Sequence, residues 1–203
     1  MNRDNGDNDM SETREWLMET QEKLVRDCVD DFNRKIDSNA PNGHIDTMKQ
    51  GDYFESEVKE VIRRYFSNMS LSIEKDYIRD ASGKFHQIDI VVRPTDSPSK
   101  DNILAVVEVK SFADMTGYRR FKKVLELCGL VERGFYVGIN GTMLGIVHGE
   151  NQNLKPKVFF FTRSMGASVR KRKRMKYPEV YAGVLQHFLK ALEDQIRILV
   201  GNQ

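Results

Sequence analysis

His86-Gln87-Ile88-Asp89-Ile90-Val91-Val92, followed after a loop by Ile103-Leu104-Ala105-Val106-Val107-Glu108-Val109-Lys110, is the stretch that decides how this chain is read. Both apolar runs are rich in β-branched residues and have the length of a buried strand. The segment between them, Pro94-Thr95-Asp96-Ser97-Pro98-Ser99, has the composition of a connection between neighbouring strands. Each run also carries charge where a core strand should carry none. Side chains alternate along a strand, so Glu108 and Lys110 share one face, while Val107 and Val109 point into an apolar layer on the other. If the two strands pair, Asp89 joins the charged face.

Stripping an ionised group of water costs several kcal/mol unless it is paired or binds a metal, so two carboxylates and a lysine on a Val/Ile strand pair need a reason. Two carboxylates and a main-chain carbonyl are the hard oxygen donors that magnesium takes at roughly 2.0–2.1 Å, with water in its other positions. A lysine two residues on could orient the attacking water or neutralise charge building on a phosphate. The plainer alternative is a structural ion pair between Glu108 and Lys110, which an isolated Glu-x-Lys would favour.

Two further features weigh on that choice. Gly51-Asp52-Tyr53-Phe54-Glu55-Ser56-Glu57-Val58 opens a helical pattern with a glutamate early in it. The elements run helix with Glu55, strand, strand with Asp89, strand with Glu108 and Lys110, helix, strand. Asp89 with Glu108-Val109-Lys110, in that order, resembles the PD-(D/E)xK nuclease superfamily over about residues 50 to 140. Ile88 stands where the family usually has proline, and no glutamine motif of the kind some exonuclease branches carry follows Lys110.

The resemblance implies an α/β restriction-endonuclease-like core, a mixed α-β-β-β-α-β sheet flanked by helices, with helical extensions at both ends. It implies a magnesium-dependent phosphodiesterase, manganese substituting, that acts on nucleic acid, with DNA and endonucleolytic restriction, defence or repair as the expected setting. Asp89 and Glu108 would hold the metal, with the Val109 carbonyl as a third ligand and Glu55 completing the shell. Glu57 is the fallback for Glu55, and Lys110 would position the water. The alternative is a nucleic-acid-binding or assembly module that keeps the fold without catalysis.

Outward from this stretch, residues 1–10 are expected to be disordered and residues 11–48 to form a helical extension begun by a cap at Ser11, with Leu24, Cys28, Phe32 and Ile36 on one stripe and Trp16 and Leu17 extending it. The core is expected over 49–165, with a helix from about Asp52 to Ser67, a first strand at Leu71 to Ile78 turning at Ser82-Gly83, and a helix from about Thr116 to Glu132. A fourth strand follows at Gly134 to Ile139 and another at Lys157 to Thr162. Arg119, Arg120, Lys122 and Lys123 on the second of those helices are either phosphate contacts or a solvated face. A loop over 166–177 carries Arg170, Lys171, Arg172, Lys173, Arg174 and Lys176, a run that repels itself into solvent unless a polyanion neutralises it. A last helix is expected over 178–203, from about Pro178, with an apolar stripe from Tyr181 to Leu199.

The 203 residues carry a formal net charge of only +2, so nucleic-acid binding must rest on local patches rather than on a global field. Cys28 and Cys128 have no zinc-ligand spacing and read as buried free thiols of a reducing compartment. His44, His86 and His148 have no metal-spaced partners and read as surface or hydrogen-bonded histidines. The absence of a membrane-length apolar run, and the polar start, give the expectation of a cytoplasmic protein with no membrane partner. A homodimer through the terminal helices and an activating partner protein are the remaining expected partners.

Overall fold

The two apolar runs form β2 (Phe85–Pro94) and β3 (Ala105–Ala113), which pair antiparallel at the centre of a six-stranded mixed sheet. The computed structural model describes residues 5–37, 47–96, 102–113, 115–141, 150–162 and 174–201. Its elements are α1 (Asn5–Asp37), α2 (Thr47–Tyr65), β1 (Leu71–Arg79), β2, β3, α3 (Met115–Leu127), a 3-10 turn (Val131–Arg133), β4 (Gly134–Gly141), β5 (Glu150–Asn151), β6 (Lys157–Thr162) and α4 (Val184–Val200). The sheet order is β1-β2-β3-β4-β6-β5. β3, β4 and β6 are parallel, and the remaining neighbours are antiparallel. The expected α-β-β-β-α-β order is therefore present as α2-β1-β2-β3-α3-β4, with the α3 crossover joining two parallel strands.

The two faces of the sheet are covered unequally. Val107, Val109, Val137 and Phe159 pack under residues of α1, α2 and α4. Val106, Tyr136 and Phe160 pack under Tyr118, Phe121 and Leu125 of α3. On α2, Phe54, Val58 and Ile62 recur at four-residue spacing and are fully buried, each stabilising by roughly 1.5–3 kcal/mol relative to exposure. That anchoring fixes the helix, and with it the position of Glu55. The stripes of α1 and α4 cover each other and the sheet within one chain, so no partner copy is needed to bury them. Among the described residues no helix is long and apolar enough to cross a membrane.

Several element boundaries differ from expectation. α1 begins at Asn5, so residues 5–10 are helical rather than disordered and Ser11 lies inside the helix instead of capping it. Each residue added to an established helix gains a backbone hydrogen bond, and the packed part from Leu17 to Phe32 supplies the nucleus. α2 likewise starts at Thr47, five residues ahead of Asp52, and ends at Tyr65.

α3 stops at Leu127 instead of Glu132 because Gly129 takes a left-handed φ of 69°. The Leu130 N–H then donates to Leu125 O at 2.8 Å and the Gly129 N–H to Glu126 O at 3.3 Å, a Schellman ending. At Gly134, where β4 begins, a Cβ would lie 2.3 Å from Leu125 Cδ1, so this helix end and the strand start can meet only over glycine.

The last helix starts at Val184, not Pro178. Val180 bridges to Thr162 and the Tyr181 N–H donates to Phe161 O at 2.8 Å, so this stretch runs extended along the sheet. Gln21 of α1, almost fully buried, accepts the Leu185 N–H at 2.7 Å and donates to Tyr181 O at 2.6 Å, capping α4 from a distant element.

Candidate active site

At Asp89 the regular ladder breaks. Glu74 pairs with Val91 and Asp76 with Ile88, so on β1 Lys75 alone faces two residues of β2, Asp89 and Ile90. This is a β-bulge, and it reverses the alternation: Ile88 packs on the α3 side of the sheet and Ile90, two residues on, packs on the opposite side. Pairing of β2 with β3 runs only as far as Ile90 with Val107. Beyond that point the Asp89 carboxylate takes the place of the ladder and accepts the Val109 N–H at 2.9 Å.

The same Asp89 Oδ2 accepts from Lys110 Nζ at 2.9 Å, and Glu108 Oε1 lies 2.7 Å from that ammonium. Two carboxylates from neighbouring strands thus converge on one cationic atom. From α2, Glu55 accepts from Lys75 Nζ at 2.9 Å and lies close enough to Asp89 and Lys110 for their charges to act on it. The structure therefore brings together the four residues singled out in the sequence, Glu55, Asp89, Glu108 and Lys110, and adds Lys75. Glu57, the fallback, makes no contact with this cluster among the described residues.

Three carboxylates against two ammonium groups leave the cluster electronegative. Burial and repulsion from Asp89 push the Glu108 carboxyl up to about 7. Burial also raises Glu55, against the Lys75 hydrogen bond that pulls it down. For Lys110, burial works to lower the ammonium, but Glu108 and Asp89 outweigh it and hold its value above that of an ordinary lysine. Among the described residues no group of three or more His, Cys, Asp or Glu side chains is placed to hold a metal ion. What the cluster presents is two carboxylates converging on one ammonium, with a third near them.

The basic candidates lie elsewhere. Arg119, Arg120 and Lys123 are exposed on α3, and Lys122 is 3.7 Å from Glu126. None of the four forms an ion pair with Glu55, Asp89 or Glu108 among the described residues. Arg174 pairs with Asp37 at 3.4 Å, and Lys176 is exposed. Arg170, Lys171, Arg172 and Lys173 lie outside the described residues, as do His44 and His148. His86 is hydrogen-bonded to Asp80 at 2.8 Å, the role expected of it. Cys28 is buried and Cys128 half-buried, and neither forms a disulfide.

Lys75 carries no sign of a site in the sequence, where it falls within the first strand expected at Leu71 to Ile78. Its only signal is that three consecutive charges interrupt an otherwise alternating β1 at the level of Asp89.

No family model matches the chain, and neither does any curated protein. A solved structure described as the native BbvCI A2B2 tetramer at low resolution is similar over 98% of this chain and 94% of that one, with 12% sequence identity and a TM-score of 0.45.

Proposed function

We propose that this chain is a metal-dependent nuclease that hydrolyses phosphodiester bonds, with DNA as substrate and an endonucleolytic role in restriction, defence or repair. The observation that carries the reading is the convergence of Asp89 and Glu108 on the Lys110 ammonium, 2.9 and 2.7 Å away, at the point where the β2–β3 ladder opens. Both carboxylates reach one cation position, and the cluster holds an excess negative charge that burial resists. Those features fit a divalent ion. Magnesium or manganese would be held by Asp89 and Glu108, with the Val109 carbonyl and Glu55 as further oxygen donors. Such an ion, when bound, supplies positive charge to a phosphate oxygen and acidifies water.

The chain's own groups do the rest. Lys110, three-fifths covered, can donate to the attacking water or to the charge that grows on the phosphate. Glu108, whose carboxyl burial and the Asp89 charge push up to about 7, would give up its proton on holding the ion. Lys75 keeps Glu55 directed at the cluster. Arg119, Arg120, Lys122 and Lys123, together with Arg170, Lys171, Arg172, Lys173, Arg174 and Lys176, are the candidates for contact with the phosphate backbone.

A second reading, a binding or assembly module without catalysis, is favoured by one observation: Lys110 already satisfies both carboxylates. Cleavage separates the two. Purified protein is incubated with supercoiled plasmid, linear duplex and single-stranded DNA in magnesium or manganese, beside Asp89→Ala and Lys110→Ala. Metal-dependent cutting that falls at least roughly 10³-fold in both variants is the expected result. Silence on every substrate, with nucleic-acid binding equal in all three proteins, would replace the nuclease reading with the binding module.

A further inference from the structure

Past Lys75 the β1–β2 hairpin runs out from under its helices. Ile73 is buried on the side covered by α1, α2 and α4, and alternation puts Lys75, Tyr77 and Arg79 on that same face. Across the antiparallel pair Tyr77 stands opposite Gln87 and Arg79 opposite Phe85, so two β2 side chains join them. All four are exposed, Tyr77 at 54% and Phe85 at 63%. The Arg79 guanidinium lies 5.7 Å from the Phe85 ring centroid and its Nε donates to Gly83 O at 3.3 Å. Gly83, at a φ of 89°, closes the turn.

Two large aromatic rings in the open at a sheet edge are an aggregation hazard unless a ligand covers them. A second copy pairing along β1 is disfavoured by the consecutive charges Glu74, Lys75 and Asp76 in mid-edge. The surface instead interleaves ring faces with positive charge. Arg79 forms no ion pair among the described residues, while the nearby Asp80 is taken up by His86 and the turn. Aromatic platforms beside cations are what unstacked bases and their phosphates recognise. Lys75 to Arg79 spans roughly 13 Å along the strand, so such a platform begins at the carboxylate cluster and leads away from it.

We infer that the β1–β2 hairpin is a single-strand nucleic-acid contact, with Tyr77 and Phe85 stacking on bases and Arg79 holding a phosphate of the strand that enters or leaves the carboxylate site. The inference rests on the nucleic-acid part of the reading above, and not on hydrolysis. Binding is therefore measured by fluorescence polarisation in EDTA, where no cutting runs, with a labelled single strand and a blunt duplex of the same sequence.

The double substitution Tyr77→Ser/Phe85→Ser is expected to weaken single-strand binding roughly tenfold or more while duplex binding changes less than about twofold. Arg79→Gln, an independent variant, is expected to flatten the dependence of log K on log salt for the single strand by about 0.7. Equal losses on both probes, no loss on the single strand, or no measurable binding by the wild type would each overturn the inference. So would a wild-type dimer, seen by sedimentation, that the double substitution dissolves. If the wild type binds through the hairpin but cuts nothing in magnesium, hydrolysis fails and this contact stands. If it cuts while the double variant binds as tightly as wild type, the reverse holds.

Discussion

Two carboxylates of the sheet, Asp80 at the β1–β2 turn and Glu108 on β3, meet opposite fates. Asp80 accepts from the Ser82 N–H at 2.9 Å, the Ser82 hydroxyl at 2.6 Å, the Lys84 N–H at 3.0 Å and His86 Nε2 at 2.8 Å. Those hydrogen bonds, the one to His86 foremost, hold its carboxyl well below the usual range. Glu108 has a single ammonium partner, shared with Asp89, and burial together with like charge pushes it up to about 7. The first site is locally complete and needs nothing more. The second is short of positive charge, and in the proposed function it is there that the metal ion would bind.

Glu108→Gln tests the contrast most severely. Cleavage is expected to fall at least roughly 10³-fold. Stability should move the other way. A carboxylate whose folded value exceeds its unfolded one binds a proton on folding, so its cost is absent below about pH 4.5, grows as pH rises and is complete above about pH 7. Metal-free Glu108→Gln is therefore expected to match wild type near pH 4.5 and to exceed it by roughly 1–3 kcal/mol at pH 8, read by urea unfolding. A variant less stable than wild type at both pH values would show Glu108 to be a contented structural partner, and the contrast with Asp80 would collapse.

Magnesium gives the next largest effect. An ion that binds only the folded protein stabilises it by about 2.7 kcal/mol at a hundred times its Kd. Wild type is expected to melt higher in saturating magnesium, and Asp89→Ala is expected not to respond. The same rise in both proteins would place the ion elsewhere.

Asp80→Asn should do what Glu108→Gln does not. It removes a carboxylate that the fold has satisfied, so Tm is expected to drop by roughly 5 °C at pH 7 while the cutting rate stays within about threefold. Because the folded value of Asp80 is depressed, its contribution is present above the unfolded value near 3.9 and is lost as pH falls below it, so the gap between wild type and variant should close in acid. A gap that widened in acid would reverse the assignment of Asp80.

Much of the candidate site was legible before the fold was seen, because period-two alternation puts Glu108 and Lys110 together and element order puts Glu55 and Asp89 within reach. The bulge was not legible. It exists only in the register between β1 and β2, and nothing in Ile88-Asp89-Ile90 announces that its two isoleucines face opposite sides of the sheet. The start of α4 was hidden for a similar reason. Pro178 suits a helix N-terminus locally, but the bridge from Val180 to Thr162 and the Gln21 cap are contacts between residues far apart in sequence. Lys75 belongs with these, since its partner Glu55 lies on another element.

The smallest expected effect therefore bears on the residue the sequence concealed best. The Lys75–Glu55 pair is half in solvent, Lys75 being 39% exposed, so Lys75→Gln should cost less than about 1 kcal/mol of stability. Its consequence lies in the pH profile. Burial raises the Glu55 carboxyl and the Lys75 hydrogen bond opposes it, so removing the ammonium lets Glu55 rise further. If cutting requires ionised Glu55, the acid limb of kcat/KM against pH shifts to higher pH, so the loss is largest in acid and recovers as pH rises, and Lys75→Arg restores the wild-type limb. A loss of the same size at every pH would instead assign Lys75 to contact with substrate phosphate. The site would then hold two lysines facing the nucleic acid, and Glu55 would join Asp80 among the carboxylates whose needs the fold itself has met.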